Sequence, residues 1–144
     1  MPSSPDARHE PTPPGELVVP ADLASVRALA EHLRQACSRA GIDDMALFEL
    51  ELALVEAANN IVEHGYVGQD AGSITLAIAI ESGRVHLTLT DTGSPVPPAF
   101  FANTALPEGH ATSGRGAAII HGCTDEVAYE SRDGVNRLVL TKGG

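Results

Sequence analysis

The 144-residue sequence has no tryptophan, three phenylalanines and two tyrosines, so recognition of nucleic acid by stacking bases on aromatic rings has little to work with. Lysine is almost absent too. The single one, Lys142, lies at the C-terminal end, which removes the phosphate-loop pattern G-x-x-x-x-G-K-[ST], and no lysine or arginine occurs between Arg39 and Arg84. The formal net charge of -10 repels phosphate backbones and anionic lipid headgroups, so no direct nucleic-acid or membrane partner is expected. Two cysteines, Cys37 and Cys123, form neither a C-x-x-C pair nor a zinc spacing, as suits a reducing compartment. No segment approaches the roughly 18 apolar residues of a membrane span, and the N-terminus lacks a charged start followed by an apolar core. A soluble cytoplasmic protein is the expectation.

What is present is a chain whose 43% apolar content is built from Ala, Val, Leu and Ile, long enough to bury a core unaided. Half of its ten prolines fall within residues 2–14, a polar stretch read as a disordered tail, leaving 15–144 as one domain. "GELVVP" offers a short edge strand closed by Pro20. From Asp22, Leu23, Val26, Leu29, Leu33, Cys37 and Ala40 recur at helical spacing until Gly41. Asp43-Asp44 opens a second helix running to Gly65, with Leu47, Leu50, Leu54, Ala58 and Ile61 on its buried side. "SITLAIAIES" and "RVHLTLTD" alternate with period two around Ser82-Gly83, a hairpin. Residues 94–114 carry four prolines and no periodicity, a length that suggests a functional loop. "GRGAAIIHGC" reads as a short helix, and "EVAYES" with "VNRLVLT" as a hairpin around Asp133-Gly134. The expected class is α+β: a two-layer sandwich with helices on one face of a mostly antiparallel mixed sheet.

The first hairpin ends in Asp91-Thr92-Gly93-Ser94, which spells the catalytic aspartate of a pepsin-type or retroviral-type protease and also the adenine acceptor of some ATP pockets. Fold context weighs against the protease, because two helices precede the motif and no second copy follows. The long helix favours the nucleotide. Glu56, Asn60 and His64 are spaced i, i+4, i+8 and share one stripe, and a mid-helix Asn costs about 0.7 kcal/mol relative to Ala, so some gain should offset it. The plainer alternative is a solvated polar arc shared with Glu49, Asn59 and Glu63. Likewise Asp91-Thr92-Gly93 alone is a turn, Gly114-Arg115-Gly116 alone a hinge, and His64 a cation complementing the helix dipole.

Together, "LALVEAANNIVEHGY", "LTDTGSP" and "SGRGAAII" resemble, in order and spacing, the N box, D-x-G box and glycine box of the gyrase/histidine-kinase ATPase superfamily. Within it, "TDEVAYES" and "NRLVLTK" make the chain most similar to the anti-sigma-factor serine/threonine kinases of bacterial partner switching. The resemblance covers roughly residues 15–142 and implies a histidine-kinase-like ATPase fold that binds ATP and Mg²⁺. It implies Glu56 as general base, the Asn60 carboxamide oxygen on the metal and Asp91 as acceptor of the adenine amine. Gly93 would let the base approach; Gly114, Arg115 and Gly116 would meet the phosphates; Thr141 would support the adenine site, and His64 would complete the stripe. Implied partners are a STAS-type anti-anti-sigma protein, phosphorylated on serine or threonine, and a sigma factor held inactive. Members of the branch commonly dimerise.

The chain departs from the family pattern at Pro97, where many relatives have an acidic residue, and at Thr112, where some have an arginine for the γ-phosphate. A non-catalytic ATP-binding anti-sigma module is therefore the alternative to a kinase. Arg27 and Arg34, on one side of the first helix, are a candidate partner surface.

Overall fold

The computed structural model describes residues 16–65, 72–96, 101 and 115–143, the Arg115 side chain excepted. The expected N-terminal tail, Gly114, Pro97 and Thr112 lie outside the described residues. Along the chain run β1 (Glu16–Pro20), α1 (Leu23–Arg39), α2 (Asp44–Asn60), a π-helical turn (Ile61–Gly65), β2 (Ser73–Glu81), β3 (Arg84–Asp91), α3 (Arg115–Cys123), β4 (Glu126–Arg132) and β5 (Val135–Lys142). The strands form one sheet in the order β1-β2-β3-β5-β4, and each neighbouring pair is antiparallel. β1 is an edge strand, as its terminal proline requires.

Local chemistry explains the boundaries. Asp22 Oδ1 accepts from the Ser25 amide at 2.8 Å and Asp43 Oδ2 from the Ala46 amide at 3.1 Å, satisfying orphan donors at the starts of α1 and α2. Both hairpins turn on two residues with positive φ, Ser82-Gly83 (52° and 79°) and Asp133-Gly134 (54° and 80°). That geometry matches the twist of the flanking strands.

Strand alternation sends Ile74 and Leu76 of β2, Val85, Leu87 and Leu89 of β3, and Leu138 and Leu140 of β5 to one buried face. There they meet Leu29, Leu33 and Cys37 of α1, Leu50 and Leu54 of α2, and Ile120 of α3. Leu47 and Ile61, expected inside, are half-buried against this core, whereas Met45, Phe48 and Leu52 are exposed on the other side of α2. Small residues let the helices approach: Ala53, Ala57 and Ala58 of α2 and Ala117 and Ala118 of α3 are buried.

Ion pairs tie α1 to α2 and the sheet to α2. Arg34 donates to Glu51 through Nε at 2.9 Å and Nη2 at 3.0 Å and pairs with Glu31 at 2.5 Å; its guanidinium is held by two carboxylates while its side chain stays 43% exposed, and Arg27 is exposed beside it on α1. Lys142 pairs with Glu49 at 2.8 Å, joining the end of β5 to α2. Both cysteines are free, and no described helix is long and apolar enough to cross a membrane.

Candidate nucleotide site

β3 places a carboxylate where its alternation would otherwise place a leucine. Asp91 follows Val85, Leu87 and Leu89 on the helix-facing side and is buried. Its register partner is Asn136 of β5, also buried. Asn136 Nδ2 donates to Asp91 Oδ2 at 3.2 Å and to the Gly93 carbonyl at 2.8 Å, and its Oδ1 accepts from the Ser131 hydroxyl at 2.7 Å. The Gly93 amide also donates to Asp91 Oδ2, at 2.8 Å. Both of these donors fall on one oxygen of the carboxylate. Burial pushes the Asp91 carboxyl above its ordinary range, while the Gly93 and Asn136 hydrogen bonds pull it back.

A carboxylate in that position weakens the ligand-free fold once it ionises. Its cost is nil below the unfolded-state pKa, where both states are protonated, and stability is lost as pH rises through the raised folded-state pKa. Asp91→Asn is therefore expected to raise the urea midpoint of the ligand-free protein at pH 7. The gain should shrink as pH falls toward 4; a gain constant across that window would show that charge burial is not its cause.

The helical turn before Gly65 adjoins this aspartate. After Asn60 the α-helix widens into the π turn, a feature common at functional sites. It presses the Gly65 carbonyl onto the Ser94 amide at 2.5 Å. A Cβ on Gly93 would stand 2.4 Å from that carbonyl oxygen. Gly93 is thus required by the packing of two backbones, a different reason from the base approach expected from sequence.

Glu56 and Asn60, one turn apart on α2, face the start of α3. A Cβ on Gly116 would stand 3.2 Å from Glu56 Oε1 and 3.2 Å from Asn60 Nδ2. Among the described residues, Asn60 Nδ2 is the buried side-chain polar atom without a hydrogen-bond partner, a donor that costs stability unless a ligand meets it. Asn60 also lines a cavity of about 30 Å³ reached by Gly65, Asp91, Phe101, Tyr129 and Asn136. Asn60 is therefore shared: it lines the cavity with Asp91 on one side and stands beside Gly116 with Glu56 on the other.

Two expected residues are elsewhere. Thr141 lies on the sheet face away from the helices, paired with His86, its hydroxyl 3.2 Å from His86 Nδ1. It cannot support the Asp91 site; Asn136, five residues earlier, stands there. The phase of "VNRLVLT" carried the signal, since Asn136, Leu138 and Leu140 share the helix-facing side while Thr141, although buried, falls on the other. His64 is exposed in the π turn, because the change of helical pitch after Asn60 ends the i, i+4 stripe. Arg115 opens α3.

The fold thus carries a buried carboxylate at the end of β3, a carboxylate and a carboxamide one turn apart on α2, and a glycine in the first turn of α3. Residues 19–142 match the model of the histidine kinase-like ATPase domain, and the chain belongs to that family. Within it the chain falls with the anti-sigma factor kinases of the partner-switching branch. It is 36% identical over 103 residues to the anti-sigma F factor of Geobacillus stearothermophilus, covering 67% of this chain and 68% of that protein. It is 35% identical over 57 residues to serine-protein kinase RsbW of Listeria monocytogenes, covering 40% of this chain and 36% of that one. The solved RsbU and RsbW domains of Rv1364c from Mycobacterium tuberculosis share the fold, with a TM-score of 0.66 at 21% identity over 91% of this chain, which spans 33% of theirs. The full-length ShkA structure in complex with AMPPNP aligns over 87% of this chain and 30% of its own, with a TM-score of 0.51 at 23% identity. The Asp-Thr-Gly-Ser stretch thus sits in an ATPase fold, and the protease reading has no fold to carry it.

Proposed function

We propose that the chain is an ATP- and Mg²⁺-dependent serine/threonine protein kinase that also acts as an anti-sigma factor. The observation that carries this reading is the convergence of Glu56 Oε1 and Asn60 Nδ2 on the glycine at the α3 N-terminus, where a Cβ would fill the gap. Orphan backbone donors and the positive end of the helix dipole suit that gap to phosphate oxygens. The unmet Asn60 donor fits the same ligand. Magnesium, when bound, neutralises phosphate charge, and the Asn60 carboxamide oxygen is the hard donor that would hold it. Gly114 and Arg115 would add to the phosphate contacts, and Asp91 Oδ1 would accept from the adenine amine.

In the transfer step a serine or threonine hydroxyl of the substrate attacks the γ-phosphorus. Its proton passes to the Glu56 carboxylate, the bond to the β-phosphate oxygen breaks, and ADP leaves. Positioning supplies most of the catalysis, as in phosphoryl transfer generally. The substrate would be a STAS-type anti-anti-sigma protein. A phosphoryl group adds about two negative charges, and a chain of net charge -10 repels the modified antagonist, which leaves this protein for a sigma factor.

The test is incubation of the purified chain with γ-labelled ATP, Mg²⁺ and a STAS-domain antagonist. Label on a serine or threonine of the antagonist is expected. ATP binding and sigma capture without transfer would select the non-catalytic module instead. Asp91→Asn should weaken ATP binding roughly tenfold to a hundredfold, since an amide whose oxygen serves Gly93 and Asn136 turns a donor toward the adenine amine.

A further inference from the structure

The cavity onto which Asp91 opens measures about 30 Å³, room for one or two water molecules and far less than a purine. A wall has to move before a base can reach Asp91. Most of that wall is helix, strand or the turn clamped between Gly65 and Gly93. Phe101 belongs to no helix or strand. Its ring lies against Tyr129 of β4, with centroids 5.2 Å apart and planes tilted by 40°, and its carbonyl accepts from His121 Nε2 at 2.5 Å. Tyr129 is fixed from the other side, since its hydroxyl accepts the Val96 amide at 3.1 Å. Two of the five aromatic residues of an aromatic-poor chain thus meet beside the carboxylate assigned to adenine.

We propose that Phe101 and the adenine base compete for Tyr129: in the nucleotide-free protein the Phe101 ring takes the purine's place, and binding exchanges one ring for the other. This rests on the reading of Asp91 as adenine acceptor. Tyr129 is then a residue that selects the base by apolar contact while Asp91 selects its amine. Because the free protein already satisfies Tyr129 with Phe101, ATP gains only the difference between two ring contacts. The phenylalanine sets affinity without touching the bound nucleotide.

The test is calorimetric titration of ATP and of a non-hydrolysable analogue into wild type, Phe101→Ala and Tyr129→Leu. An aromatic pair contributes roughly 0.5–1.5 kcal/mol beyond its buried area, so Phe101→Ala should bind about threefold to tenfold tighter than wild type, and Tyr129→Leu, which loses both ring contacts, more weakly than Phe101→Ala. Absence of tryptophan permits an independent readout. In a Tyr66→Phe background the emission of Tyr129 should change when ATP binds and also, without ATP, on Phe101→Ala. Equal or weaker ATP binding by Phe101→Ala, with wild-type binding intact, overturns the competition and leaves the ATP assignment standing. No ATP binding by any of the three chains overturns the ATP assignment, and the competition with it.

Discussion

Glu56→Gln is expected to slow phosphoryl transfer to the antagonist by about 10²–10⁴-fold while ATP affinity stays within about twofold of wild type. The carboxylate is half-buried, one turn before Asn60, with Oε1 beside Gly116 where the phosphates are proposed to bind. Glutamine keeps its length, its volume and an oxygen for the same neighbours, but it cannot take a proton. No salt bridge engages Glu56 among the described residues, so the thermal midpoint should hardly move. Single-turnover transfer of labelled phosphate, alongside calorimetric ATP binding, separates the two effects. If transfer persists at the wild-type rate, Glu56 is not the base; if ATP binding is lost as well, its role is to shape the pocket.

The fold was legible wherever one physical signal dominated. Period-two alternation in "SITLAIAIES" and "RVHLTLTD" marked the first hairpin because one sheet face is buried and the other open. Aspartates at 22 and 43 marked helix starts because orphan amides need acceptors there. The motifs fix backbone as well as side chains, which is why Gly93 packs on Gly65 beside Asp91 and Gly116 packs beside Glu56 and Asn60. Misplacements came where register decides. The resemblance implies Thr141, yet one position in a strand changes the face, and it is Asn136 that shares the helix-facing side with Leu138 and Leu140. The stripe of Glu56 and Asn60 reaches His64 only at a constant 3.6 residues per turn, and the segment after Asn60 widens to a π turn. Phe101 and Tyr129 lie 28 residues apart in sequence, and only the packing of β4 beside the cavity brings them together.

Gly93→Ala should destabilise the protein by about 2–4 kcal/mol and abolish nucleotide binding. The added Cβ would lie 2.4 Å from the Gly65 carbonyl oxygen, 2.8 Å from its carbonyl carbon and 3.1 Å from its Cα. All three are backbone atoms, so no rotamer change relieves the overlap. Gly93 does not have a positive φ, so alanine tolerates the local conformation and the penalty reports the contact itself. Relief requires one of two movements. If the turn after β3 lifts away, it strains the Ser94 amide bond to Gly65, the Gly93 amide bond to Asp91 and the Asn136 bond to the Gly93 carbonyl. If the π turn yields instead, Asn60, the residue before it, shifts from Gly116. Either movement separates Asp91, the proposed adenine acceptor, from Asn60 and Gly116, the proposed phosphate end. Gly122→Ala, in α3 with nothing within 4 Å of its Cβ position, is the matched control and should gain up to about 1 kcal/mol. Urea denaturation of both variants decides the matter: if Gly93→Ala is as stable as wild type, the two backbones are not locked together, and the link between the D-x-G turn and the end of α2 is lost as an explanation of the site.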